Sequence, residues 1–173
     1  MEAALGRARE TAPHDPVADG LVEYLERHIP EEMHGDMPGG ATLNDLAAFA
    51  IDPDRLRRDP PAPQVAALIG AQYYWIFHRH PVALLGFLEL EAFHPDGPTV
   101  ERLIETAGLP REGFRQLLIH SKLDVVHARD LHRLLDALPL EAWHEQLIGL
   151  SALQTIGLLT EALLEVVIGT DVG

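Results

Sequence analysis

Ile119-His120-Ser121-Lys122-Leu123-Asp124-Val125-Val126-His127 decides how the rest of the chain is read. If the stretch is helical, His120, Asp124 and His127 fall at i, i+4 and i+7. A helix turns by about 100° per residue, so the three side chains share one stripe. Leu117, Leu118, Leu123, Val126 and Leu131 make its surroundings apolar. Two imidazoles and a carboxylate are costly to bury in such surroundings unless something binds them, and a divalent metal is the natural partner.

Working outward, the sequence continues to read as helices. From Val17 to His34, Leu21, Leu25 and Ile29 recur every four residues, the period of an amphipathic helix. Pro30 removes a backbone donor and predicts a kink there. Gly35, Pro38, Gly39 and Gly40 form a loop, and Thr42 opens a short helix to Ala50. Asp52 to Pro63 is rich in turn residues. A long helix follows over Gln64–His80, with Tyr73, Tyr74, Trp75 and Phe77 expected mostly in the core. Pro81 ends it and starts Val82–Phe93. Thr99 caps a helix that stops at Gly108. Arg111–Ala137 is helical in pattern, either as one bent helix or as two meeting near Gly113 or Ser121. Leu140–Ile168 is a final long helix. No useful strand alternation appears. The expected fold is all-α, a bundle of six or seven helices. Residues 1–16 are expected to be an arm or short helix, and residues 17–173 a single domain.

The 173 residues suffice for a sizeable core. The absence of cysteine excludes disulfides, thiolate ligation and a cysteine nucleophile. A net charge of −14 repels phosphate backbones, so nucleic acid is not expected as a partner. With no apolar signal core and no unbroken apolar run of membrane length, the expectation is a cytoplasmic protein without membrane attachment.

Further donors complete the stripe on Ile119–His127. Glu31-x-x-His34 places a carboxylate and an imidazole on one helical face, the spacing used by diiron carboxylate bundles. Glu91 lies in the apolar run Leu84–Phe93, where a carboxylate must be paired, protonated, exposed or metal-bound. Glu89, on nearly the opposite side of that helix, is the alternative. The candidate ligand set is Glu31, His34, Glu91, His120, Asp124 and His127. Three carboxylates and three imidazoles suit two iron ions; manganese fits the same nitrogen and oxygen donors, and zinc stays open. His28 is a candidate for holding a ligand carboxylate in place. His78, His80, His94, His132 and His144 show no such spacing, and surface or capping roles are expected of them.

With these pieces in order, the sequence resembles the haem-oxygenase-like diiron oxidases and oxygenases, often labelled iron-containing redox enzymes. The resemblance runs from about Leu21 to Val167. It is carried by Tyr24-Leu25-Glu26-Arg27-His28-Ile29-Pro30-Glu31-Glu32-Met33-His34, by Gln72-Tyr73-Tyr74-Trp75-Ile76, by His80-Pro81-Val82-Ala83-Leu84-Leu85-Gly86-Phe87 and by His120-x3-Asp124-x2-His127. It implies a haem-oxygenase-like fold and a diiron cofactor that activates O2 as co-substrate, with those six residues as ligands. It also implies an oxidoreductase acting on a small organic substrate, by amine oxygenation, oxidative decarboxylation or C–C cleavage. A non-enzymatic helical binding or accessory protein on the same fold is the alternative, and a homodimer is a possible assembly.

Overall fold

The computed structural model describes residues 1–32, 41–91 and 95–169. Among them no strand occurs, and the fold is the all-α, haem-oxygenase-like one. The helices are α1 (Glu2–Thr11), α2 (Pro16–Glu32), α3 (Ala41–Ala48), α4 (Pro53–Arg58), α5 (Pro63–His78), α6 (Leu84–Glu91), α7 (Gly97–Ala107), α8 (Arg115–Ala137) and α9 (Ala142–Gly169). The expected helices are all present, and one short helix, α4, joins them. α1 fills much of the N-terminal segment. α4 replaces an expected turn, because Asp52 accepts the Asp54 N–H at 2.9 Å and Pro53 stands at the first helical position.

The chain divides into two compact units. One comprises Met1–Arg27, Pro61–Glu91 and Leu131–Gly173; the other comprises His28–Pro60 and Ala92–Asp130.

The first unit has an ordinary apolar core. Val17, Leu21, Leu25, Leu84, Leu85 and Leu131 are almost wholly buried. Asp15 starts α2 by accepting the Val17 and Ala18 N–H groups at 2.9 and 3.1 Å. α6 crosses α9 at Gly86, where a Cβ would stand 2.3 Å from the Ile148 carbonyl oxygen, so only glycine fits. Gln72, Ser151 and Thr155 form a buried hydrogen-bonded seam between α5 and α9, with Gln72 Nε2 donating to Thr155 Oγ1 at 3.0 Å. Tyr73, Tyr74 and Phe77, expected in the core, are about half exposed, because the buried side of α5 carries Gln72 and Ile76 instead. Over Ala142–Leu164, α9 is long and apolar enough to cross a membrane by length and composition, with mean hydropathy 1.6. Glu145 and Glu161 interrupt the span, so it holds no unbroken apolar run of that length.

The second unit has a different interior. Its buried apolar side chains among the described residues are Val100 and Phe114, whereas His28, Asp45, His120, Asp124 and His127 are all buried. α3 fixes the start of α8: the Asp45 carboxylate accepts the Gln116 N–H at 2.7 Å, the Phe49 and Phe114 rings meet edge to face, and Gly113 leaves room for Phe49. Asp96, rather than the expected Thr99, caps α7: its carboxylate accepts the Thr99 N–H at 2.9 Å from the turn before the helix, and Gly108 ends it in the left-handed region at φ 63°. From this start α8 runs unbroken through Ser121, preceded by a 3₁₀ turn over Arg111–Phe114. The quoted stretch is therefore helical over its whole length.

Candidate metal centre

α2 explains how one side of the site forms. Its buried stripe is Val17, Leu21 and Leu25, and at the same helical spacing it continues as His28 and Glu32. The stripe changes from apolar to polar within one helix. The helix runs on through Pro30, which lacks only the donor for the preceding turn. α8 supplies the other side. His120, Asp124 and His127 are 6, 7 and 7% exposed, and they share the face that their spacing predicts. Val125 and Val126 point outward, so Val126 is not part of the apolar surroundings expected of it.

Glu32 lies between the two helices' imidazoles. Its Oε1 is 2.9 Å from His127 Nδ1 and 3.5 Å from His28 Nε2. Its Oε2 is 3.8 Å from His120 Nε2. The two oxygens of one carboxylate thus face different histidines. Glu31 stands at the edge, 46% exposed, with Oε2 3.8 Å from His127 Nε2 and 3.9 Å from His28 Nδ1. His28 and His127 pack edge to face with ring centres 4.6 Å apart. His120 Nδ1 is 2.9 Å from Asp124 Oδ1, and its Nε2 meets the Gln116 amide nitrogen. A carboxylate that holds one ring nitrogen sets which way the other points, a common arrangement around metal-binding histidines.

The donor set fits a hard or borderline cation. Adjacent ligands on a six-coordinate ion at about 2.1 Å stand about 3 Å apart, and opposite ones about 4.2 Å apart. The Glu32–His127 and Glu32–His28 separations fall in that range, and one ligand atom from each of these three residues lies within 4.8 Å of the others. Nitrogen and oxygen donors without thiolate suit iron or manganese.

Of the six residues expected from the sequence, Glu31, His120, Asp124 and His127 come together. His34 lies outside the described residues, as does the side chain of Glu91. The alternative, Glu89, is engaged elsewhere: its Oε1 is 2.9 Å from His132 Nε2, and this carboxylate raises the His132 pKa above its ordinary value. Sequence reasoning passed over Glu32 and gave His28 a supporting part. Their signal was present as His28-x3-Glu32, an i, i+4 pair continuing a buried stripe.

A second cluster, Asp15, His80 and His144, lies in the first unit. It shows what a structural histidine group looks like. The Val82 N–H donates to His80 Nδ1 at 3.1 Å and the Glu141 N–H to His144 Nδ1 at 3.0 Å. Each ring therefore carries its proton on Nε2, and His80 Nε2 donates to Asp15 Oδ2 at 2.8 Å. A neutral imidazole with Nδ1 accepting a hydrogen bond has no Nε2 lone pair for a metal. Both histidines cap turns, as expected of them.

A family model for iron-containing redox enzymes matches residues 5–158, and the chain belongs to that family. Membership makes it an oxidoreductase of an iron-containing class. No curated protein and no solved structure matches the chain.

Proposed function

We propose that the chain is a non-haem diiron enzyme that uses O2 to oxidise or oxygenate a small organic substrate. The observation that carries this reading is Glu32, with its two oxygens facing His127 and His28 on one side and His120 on the other. Glu31, Glu32, His120, Asp124 and His127, with His28 beside them, are the residues that would hold the ions; the sequence adds His34 by its spacing from Glu31, and Glu91 as a carboxylate in an apolar run. Two ferrous ions supply the electrons for O2 reduction when bound.

The chain contributes position and charge. Asp124 holds the His120 ring in one orientation through Nδ1. Asp45 fixes the first turn of α8, and so the register in which His120, Asp124 and His127 face inward. Burial of these three residues keeps bulk water from competing for the ligand atoms. Glu31, exposed at the edge, is the carboxylate best placed to meet an incoming substrate or to take up a proton from it.

The test is O2 uptake by the anaerobically iron-loaded protein in a single turnover. Uptake of about one O2 per two irons, with loss of the ferrous signal, agrees with the proposal. Full iron loading with no O2 uptake over the autoxidation of free ferrous ion rejects it.

A further inference from the structure

We infer that α9 is the contact between two copies of this chain, paired antiparallel about a two-fold axis at Leu153. From Gln146 to Thr160 the helix carries no charged residue, although the chain as a whole is strongly acidic. Leu153, 68% exposed, is the most exposed of the large apolar side chains described. Leu150, Ile156, Leu163 and Leu164 are exposed at about half their surface or more. With Leu159 on a flank of α9, and with Val65, Ile69, Tyr73 and Phe77 at four-residue spacing on α5, which packs along α9, the exposed apolar side chains of the two helices sum to on the order of 1,000 Å². The largest patch on a typical monomer is about 300–600 Å². A standard interface takes about 800 Å² from each partner.

The pattern on α9 identifies the occupant. An antiparallel pair with its axis at residue 153 sets residue 153+k of one copy beside residue 153−k of the other. Leu153 then meets Leu153. Gly149 meets Gly157, Leu150 meets Ile156, and Gln146 meets Thr160, so small lies beside small, apolar beside apolar, and amide beside hydroxyl. An isologous contact requires this self-complementarity. These positions recur at three, four and seven residues, so they form one seam. Glu145 and Glu161 bound it; they stand about 160° apart around the helix, on opposite flanks of the seam.

The two glycines supply an independent argument. A glycine inside a helix costs about 1 kcal/mol relative to alanine. Gly86 has a reason for its place in the close crossing with α9, whereas a Cβ at Gly149 or Gly157 would meet nothing within 4 Å. Gly6 and Gly70 are equally open, but Gly149 and Gly157 stand four residues on either side of Leu153, where a second copy of the helix finds room to bring its backbone close. A lipid surface gains nothing from glycine at these positions.

The experiment uses the whole chain in sedimentation equilibrium over micromolar concentrations. The expected species is a dimer of 38.2 kDa, twice the 19.1 kDa chain. Leu153→Glu places two like charges at the axis and is expected to halve that mass, with the far-UV circular dichroism of the wild type. Because the chain has no cysteine, L153C gives a second readout. A short bismaleimide is expected to join it into a covalent dimer at high yield, while V125C, a similarly exposed position on α8, remains monomeric. A folded wild type that sediments as a monomer overturns the inference. So does a dimer whose mass L153E leaves unchanged, an L153C that cross-links no better than V125C, or partition of the wild type onto vesicles of neutral phospholipid.

Discussion

Glu31 and Glu32 are adjacent in sequence, and the geometry makes them unequal. Glu32 reaches three imidazoles, at 2.9 Å from His127, 3.5 Å from His28 and 3.8 Å from His120. Glu31 approaches two, at 3.8 and 3.9 Å, from a half-exposed position. Loss of a single partner that orients a metal-binding histidine lowers metal affinity about 10–100-fold. Glu32→Gln disturbs three histidines and removes a negative charge from the proposed metal site. Its loss is expected to reach at least about 100-fold, or about 2.8 kcal/mol at 1.4 kcal/mol per factor of ten. Glu31→Gln removes an exposed charge at longer range, and its loss is expected to stay near or below about 10-fold. The assay is anaerobic competition for ferrous iron against a chromogenic chelator, with matched circular dichroism for the three proteins. Equal losses, or a larger loss for Glu31→Gln, would refute the placement of Glu32 at the centre.

Further expectations concern the frame around the site. Gly86→Ala drives a Cβ against the Ile148 carbonyl oxygen and the Ala152 nitrogen, at 2.3 and 2.8 Å. Overpacking of this kind costs about 1–3 kcal/mol, so thermal melts should fall by roughly 2–12 °C at about 2–4 °C per kcal/mol. Gly70→Ala, which meets nothing within 4 Å on α5, should instead raise the melting temperature. Asp45→Ala removes the acceptor of the Gln116 N–H and is expected to cost about 0.5–2 kcal/mol in denaturant titrations. His144 is held below its ordinary pKa first by burial and then by the His80 ring beside it. The unfolded chain then takes up that proton more readily, so stability should decline as the pH drops below about 6.5. His144→Gln should flatten this part of the melting profile. Asp15 is pushed up by burial, but the Ala18 and Val17 N–H groups and His80 outweigh that and lower its pKa. Its stabilisation is present above about pH 4 and is lost as the pH falls further.

The helices were legible in the sequence because apolar residues at helical spacing run between the prolines and glycines that mark their ends. The capping carboxylates were not: Asp15, Asp52 and Asp96 each accept N–H groups at a helix start, where the sequence reads an arm, a turn and a Thr99 cap. The shared buried face of α8 was legible because three polar residues at i, i+4 and i+7 stand out in an apolar stretch. Glu32 was passed over because Glu31-x-x-His34 drew the choice to its neighbour; the competing His28-x3-Glu32 spacing decides only once the rotation of α2 is known, which the buried stripe running into His28 sets. Burial of α5 was misread because its aromatic residues lie on the exposed side, while a glutamine finds buried hydrogen-bond partners in Thr155 and Ser151. The Asp15–His80 joint spans 65 residues, and no local pattern announces it.

The central claim is that His28, Glu31, Glu32, His120, Asp124 and His127 belong to a centre for two iron ions. The most direct measurement is the diffraction of crystals soaked anaerobically with ferrous salt, recorded on both sides of the iron absorption edge. Two anomalous peaks, each within coordination distance of a Glu32 oxygen, are the expected result. Full-occupancy iron elsewhere on the chain with none at Glu32, or a single ion that leaves one Glu32 oxygen uncoordinated, would contradict it.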